Sequence, residues 1–270
     1  MSKTISKLSP RKRYLQIALN SILEEAHKII AQVPISERIL IEAGTPLIKR
    51  YGEEGIRQIK QWYEQRIWGQ TLEPTATPLV VSGSLISLFL KAVVKNYSQS
   101  RIPQRPSRNS EIIPYVVADL KMMDRGEREV AIAARAGADA AVALGHSPIE
   151  SLNAFIQKCE DLGLDAMVDM MNVEFPLSIL RQLKKLPRVV ILHRGVDEER
   201  FNKEKQIPLH EIRRIKGNYD ILIAIAGGDT LREAQRAIFN DADIVVVWKS
   251  FFQSSKDTTD LAEQFLKEVK

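Results

Sequence analysis

Short runs of consecutive apolar residues recur along the chain, near Leu15–Leu19, Ile39–Ile41, Tyr115–Ala118, Ala140–Leu144, Ala166–Val168, Val189–Leu192, Ile221–Ile225 and Ile244–Val247. Most are apolar at every position rather than at alternate ones, the pattern of parallel strands covered on both faces. Between them lie stretches with helical spacing: Ile22–Gln32, Glu53–Trp68, Glu127–Ala136, Pro148–Leu162, Pro176–Leu186, Leu231–Phe239 and Thr258–Lys270. This alternation predicts an α/β fold, a (β/α)₈ TIM barrel forming a single domain over residues 11–270. A doubly wound open sheet is the competing architecture. No Gly-x-Gly-x-x-Gly turn follows the first strand, which weakens its dinucleotide-binding version.

One stretch breaks the rhythm. Residues 69–113, Gly69 to Ile113, separate the second helix from the third strand, where a few residues normally suffice. They contain an amphipathic stretch, Leu85–Val94, followed by Pro-, Ser- and Arg-rich sequence. An insertion after a helix and before a strand emerges on the N-terminal face of a barrel, away from the chemistry. A structural, oligomerisation or docking role is therefore expected of it rather than that of a lid.

Bulk composition narrows the classes. At 270 residues, 44% hydrophobic and 27% charged, the chain has the balance of a soluble globular protein. Its net charge is +5, but the basic residues Arg11-Lys12-Arg13 and Arg101, Arg105 and Arg108 are not interleaved with aromatics, so no nucleic-acid platform is expected. With Cys159 alone there is neither an intrachain disulfide nor a cysteine metal cage. The N-terminal residues lack a signal-peptide apolar core. The longest apolar run, Pro78 to Val94, is interrupted by Ser82, Gly83, Ser84, Ser87 and Lys91 and makes a poor membrane span. A cytoplasmic protein without a membrane partner is the expectation.

Chemistry in such a barrel collects where strands end. The first strand ends at Asn20 and the second in Glu42, within Ile41-Glu42-Ala43-Gly44-Thr45-Pro46. The third delivers Asp119, Lys121 and Asp124, the fifth Asp169 and the sixth His193. The seventh runs into Ala226-Gly227-Gly228 and the eighth into Trp248-Lys249-Ser250. Asp119 and Lys121, two apart on an extended chain, share a face; a surface ion pair at a strand exit is the plain alternative. Glu42 and Asp119 are hard oxygen donors from adjacent strands, suited to Mg²⁺ completed by waters and substrate oxygens. Lys121 can stabilise an anion such as an enediolate, and His193 can move protons near neutral pH. Gly227-Gly228 is expected to open a helix whose bare N–H groups cradle a phosphate, although Gly-Gly after a strand is commonly just a turn. His27, His146 and His210 are read as surface or helix residues.

These segments resemble 3-hexulose-6-phosphate synthase, in tone the archaeal synthase domain often fused to a formaldehyde-activating domain. The resemblance is carried by Leu15-Gln16-Ile17-Ala18-Leu19, Ile41-Glu42-Ala43-Gly44-Thr45-Pro46-Leu47-Ile48, Ala118-Asp119-Leu120-Lys121-Met122-Met123-Asp124 and Val168-Asp169-Met170-Met171-Asn172-Val173. Leu192-His193-Arg194-Gly195-Val196-Asp197-Glu198-Glu199 and Ala224-Ile225-Ala226-Gly227-Gly228 extend it. The Asp-x-Lys-x-x-Asp motif alone marks the wider superfamily of orotidine 5′-monophosphate decarboxylase and 3-keto-L-gulonate-6-phosphate decarboxylase. Glu42 narrows it, since the orotidine enzyme is metal-free and uses no Glu there. The keto-gulonate decarboxylases carry an Arg where this chain has Val196, which favours the aldolase.

The resemblance implies a (β/α)₈ homodimer with active sites shared between subunits. It implies Mg²⁺ on Glu42 and Asp119, Lys121 at the enediolate, His193 as acid/base and Asp124 reaching the partner's site. Asn20, Asp119, Gly227, Gly228 and Lys249 would bind substrate. The reaction would be an aldehyde-lyase reaction of the ribulose monophosphate pathway, joining formaldehyde to ribulose 5-phosphate to give 3-hexulose 6-phosphate, or the reverse. Two positions depart from the family. Asn20 replaces an Asp, which puts a donor where there were only acceptors. Trp248-Lys249-Ser250 replaces a Gly-Arg-Ala or Gly-Gly-Ala run, so Trp248 either crowds the phosphate pocket or packs outward, and Lys249 offers a point charge instead of an Arg fork. These departures motivate two alternatives: a diverged enzyme acting on another sugar phosphate, and a non-catalytic binding or assembly paralogue.

Overall fold

The apolar runs become strands that pair in chain order, each parallel to the next, until the eighth closes onto the first. The computed structural model describes residues 6–70, 112–253 and 257–270. The amphipathic stretch 85–94 expected within the 69–113 insertion lies outside them; the segment joins the second helix to the third strand. The order is β1 (Tyr14–Leu19), α1 (Leu23–Gln32), β2 (Ile39–Ala43), α2 (Thr45–Ile67), β3 (Val116–Met122), α3 (Gly126–Arg135), β4 (Ala140–Leu144) and α4 (Ile149–Leu162). It continues with β5 (Asp165–Asp169), α5 (Pro176–Leu180), β6 (Val189–His193), α6 (Val196–Phe201), α7 (His210–Lys216), β7 (Leu222–Ala226), α8 (Leu231–Phe239), β8 (Ile244–Val247), α9 (Lys249–Gln253) and α10 (Thr258–Glu268). The expected TIM barrel is the fold, and the open sheet is excluded.

Side chains alternate across the barrel wall and sort into two cores. Leu15, Ile17 and Leu19 of β1 point outward to the helices, with Ile41, Val116, Val168, Leu192 and Val247. Tyr14 and Ala18 point inward, with Leu40, Val117, Val142, Met167, Val189, Ile191, Ala224, Ala226 and Val246. Register fixes this division. Ile17 pairs with Ile41 on one side and Val247 on the other.

The helices differ from expectation where local chemistry intervenes. α2 begins at Thr45, with Pro46 in its first turn, and runs on through a kink at Gly52 (φ 62°, ψ −146°), so it starts earlier than the 53–68 segment read from periodicity. α5 stops at Leu180, short of Leu186. The short helices α6, α7 and α9 carry too few turns to leave a periodic signature.

Candidate active site

The inward phase of the strands places the chemistry. Continuing it by two residues leads from Ala18 to Asn20, Leu40 to Glu42, Val117 to Asp119, Met167 to Asp169, Ile191 to His193 and Val246 to Trp248. All of the residues so reached line one cavity of about 380 Å³ at the C-terminal mouth, together with Thr45, Lys121, Glu199, Gly227 and Asp229.

Lys121 reaches this layer by an irregular route. The β3–β4 register shifts between Ala118 and Met122, and Lys121 adopts a left-handed backbone conformation (φ 45°). Such a conformation is uncommon for a residue with a long side chain and stores strain in the backbone. It aims the ammonium between two carboxylates. Nζ donates to Asp119 Oδ2 at 3.0 Å and to Asp169 Oδ2 at 2.9 Å. Asp119 and Lys121, expected only to share a face, form an ion pair inside the cavity, and a bulged, left-handed turn rather than simple alternation brings them together.

Asp169 is the hub that sequence reasoning left without a role. Its Oδ2 also accepts from His193 Nδ1 at 2.8 Å, and its Oδ1 accepts from the Met171 backbone N–H at 2.9 Å. Burial alone would raise the Asp169 carboxyl, but His193 and Lys121 outweigh it and hold it well below the usual carboxylate range. Burial opposes the charge on Lys121 too, and Asp119 and Asp169 overcome it, keeping the ammonium protonated beyond its ordinary value. For His193 burial again works against protonation, while the charge and hydrogen bond of Asp169 raise it above an ordinary histidine. With Nδ1 committed to Asp169, Nε2 is the nitrogen left for a substrate.

Glu42 sits across the interior, 7% exposed, and its Oε2 accepts from Gln16 Nε2. Burial and the neighbouring Asp119 push its carboxyl up to about 7. Thr45 Oγ1, at the start of α2, lies 2.8 Å from Asp119 Oδ2 and fixes that carboxylate. Gly44 is required beside it: a Cβ there would fall 1.8 Å from Asn20 Oδ1.

Other expected residues lie elsewhere. Asp124 is exposed on the loop after β3, in a separate depression with Arg125, Gly126 and Glu127. Gly227 lines the cavity with φ 88°, where a Cβ would meet the Arg194 carbonyl oxygen at 2.1 Å. Gly228 instead packs against Glu233 and Ile207. The Gly-Gly pair does not open a helix as expected. α8 starts at Leu231, capped by Thr230, whose hydroxyl accepts from the Glu233 backbone N–H. Trp248 does not pack outward; it lines the cavity and covers part of the inward core. The Lys249 ammonium pairs with Glu199.

Among known proteins, the family model "Orotidine 5'-phosphate decarboxylase / HUMPS family" matches residues 109–264. The bifunctional enzyme Fae/Hps of Methanothrix thermoacetophila is 34% identical over 95% of this chain and 53% of its own length. That of Methanosarcina barkeri is 33% identical over 94% of this chain and 52% of its own. The chain thus spans about half the length of the curated relatives it matches. In fold it is similar to 3-hexulose-6-phosphate synthase of Salmonella typhimurium (TM-score 0.68, 21% identity, 95% of this chain and 98% of that one). It is similar also to KGPDC of Streptococcus mutans (TM-score 0.64, 17% identity, 96% and 98%). None of the described helices is long and apolar enough to cross a membrane. The chain belongs to the orotidine 5'-phosphate decarboxylase / HUMPS family.

Proposed function

We propose that the chain is an aldehyde-lyase that makes and breaks a carbon–carbon bond beside a ketose carbonyl through an enediolate. One observation carries this reading: the Lys121 ammonium held between Asp119 and Asp169, with His193 on the same Asp169 oxygen. A fixed cation inside a low-dielectric cavity stabilises charge that develops on a substrate oxygen. In the synthetic direction a proton leaves the ketose carbon, the carbon's electron pair attacks the aldehyde carbonyl carbon, and the new alkoxide takes up a proton. Lys121 holds the enediolate oxygen. His193 moves the proton at Nε2, and Asp169 keeps its ring oriented. Asn20 and the Gly227 backbone meet the rest of the substrate.

The finer reading is Mg²⁺-dependent joining of formaldehyde to ribulose 5-phosphate, or its reverse, in a cytoplasmic homodimer to which Asp124 contributes across the interface. The names of the Fae/Hps relatives support the reaction. Glu42 and Asp119 fit Mg²⁺. They are buried carboxylates in one cavity, and Glu42 is pushed up to about 7 as expected of a carboxylate that wants a cation beside it. Two carboxylates leave the remaining positions of an octahedral ion to water and substrate oxygens. When bound, the metal would polarise the ketose oxygens. A second reading, the same chemistry on a different ketose, is favoured by Trp248 and Asp229, which line the same cavity.

The test is release of formaldehyde from 3-hexulose 6-phosphate by the purified protein, titrated with Mg²⁺, beside a panel of other ketose phosphates. Turnover that depends on Mg²⁺ and fails in Glu42→Gln supports the reading. Full activity in Glu42→Gln would remove the metal assignment, and absence of turnover on the whole panel would remove the lyase.

A further inference from the structure

Among the described residues, the carboxylates of Glu42, Asp119, Asp169, Glu199 and Asp229 line the C-terminal cavity, against the ammonium of Lys121 and the imidazole of His193. Lys121 is already held by Asp119 and Asp169. A ketose phosphate entering such a cavity meets no lining cation that is left for its phosphate. Two cations lie just behind the wall. Lys249 Nζ pairs with Glu199 Oε2, and the Arg194 guanidinium approaches Glu199 Oε1 at 3.8 Å. Glu199 lines the cavity, and neither of these cations does. Its carboxylate therefore occupies the place from which an anion would reach Lys249.

Glu199 is held there lightly. It belongs to α6, none of whose residues is buried and whose Phe201 is 75% exposed. The neighbouring Glu198 makes only local contacts, accepting from the Gly195 N–H at 2.8 Å and lying 3.7 Å from Lys205. Lys249 is anchored more firmly. Asp229 Oδ1 accepts from the backbone N–H groups of Trp248 at 2.6 Å and of Lys249 at 3.0 Å, which fixes the backbone that carries the ammonium. Of the two partners, the carboxylate is the one free to swing away, and a part-exposed ion pair is weak enough for a dianion to break.

We infer that Glu199 is a specificity-determining residue: its carboxylate holds the position beside Lys249 that a substrate's phosphate takes by displacing it. Displacement removes one negative charge from the wall and uncovers one positive charge, so the exchange makes an acidic wall receptive to phosphate. It favours a dianion over an uncharged tail, because the incoming group must compete with a carboxylate already in place. Phosphate affinity is lowered by the fraction of time that Lys249 spends engaged with Glu199. The inference rests on the reading of the site as one for a ketose phosphate and states how that phosphate is admitted.

Inorganic phosphate is titrated calorimetrically into the full chain, into Glu199→Gln, Lys249→Met and their double variant, and into Asp197→Asn, which removes an exposed charge from the same helix. Glu199→Gln should bind phosphate about tenfold tighter than the wild type, the scale of a competing charge lost beside the ligand. Lys249→Met should bind it more weakly, and in that background Glu199→Gln should bring no gain. Asp197→Asn should stay within about twofold of the wild type, because solvent and salt screen a charge that faces outward. Glu199→Ala repeats the measurement without an amide that can still hydrogen-bond Lys249. Equal affinity in the wild type and both Glu199 variants, a gain that persists without Lys249, or the same gain in Asp197→Asn overturns the inference, as does the absence of phosphate binding in every form. Turnover of ketose phosphates is followed on the same proteins. If no form turns them over while the phosphate pattern holds, the lyase reading fails and the displacement stands; turnover beside unchanged phosphate affinities keeps the lyase and removes the displacement.

Discussion

The two mouths of the barrel hold depressions of nearly equal size, about 380 Å³ at the C-terminal end and about 410 Å³ at the N-terminal end, and both are lined by several carboxylates. They treat those carboxylates differently. At the N-terminal mouth Asp139 accepts from Lys7, from Lys60 at 2.8 Å and from the Val116 backbone at 2.8 Å. Asp243 does the same with Lys216 at 2.9 Å and the Ile223 backbone at 2.7 Å. Asp165 is held by Tyr115 and Ser6. Asp139 and Asp243 each clamp the start of one strand to its neighbour, and Asp165 ties the start of β5 to Tyr115 before β3 and to the N-terminal segment. At the C-terminal mouth Asp169 is shared by a lysine and a histidine, and Glu42 has a single amide for company. The N-terminal carboxylates close strand starts; at the C-terminal mouth one is shared with a histidine and another faces the open cavity, the surroundings in which shifted acids and bases are found.

Substitutions at the two ends should therefore separate activity from stability. Lys121→Met should lower kcat by about a thousandfold, the scale of losing an oxyanion donor, while circular dichroism still reports a folded barrel. Asp139→Ala should leave kcat unaltered but cost about 3 kcal/mol in denaturant unfolding, because Lys60 and the Val116 N–H lose their shared acceptor. A loss of activity in the folded Asp139 variant would break the division between the mouths.

Asp169→Asn should reduce kcat by about a hundredfold, within the range of general acid–base catalysis. It also carries a pH signature. Asp169 raises His193, so its neutralisation should move the His193 limb of the kcat/KM profile to lower pH. The His193 share of the stability drawn from this pair is fully present below about pH 6.5 and fades as pH rises through its higher folded value, whereas the Asp169 share is lost only in strong acid. Melting temperatures of wild type and variant should thus differ more at about pH 6 than at about pH 9. The mildest change is Tyr115→Phe, which should cost about 1 kcal/mol through the hydrogen bond to Asp165 and leave turnover alone.

The barrel was legible because parallel strands buried on both faces leave near-continuous apolar runs; β4 and β8 match theirs to the residue. The layer that lines the C-terminal cavity was legible to the extent that it follows strand parity, which carries Glu42, Asp119 and His193. Asp169 obeys the same parity, through Met167, and that signal would have placed it beside Lys121. What could not be read was geometry off the regular lattice. The left-handed backbone of Lys121 arises at a register shift that no residue in Asp119-Leu120-Lys121 announces. The bond from Asp229 to the residues after β8 depends on where two loops meet in space, nineteen positions apart in sequence for Trp248.

The alternation of inward and outward side chains has a further consequence for how such a protein changes over time. Closure ties every strand to two neighbours, so no single strand can slide to bring a new residue into the mouth. The positions two beyond Ala18, Leu40, Val117, Met167, Ile191 and Val246 act as fixed sockets, and only their contents are free to vary. A lineage can exchange Asp for Asn at one socket, or place Trp at another, and meet a new molecule with the remaining machinery still in place.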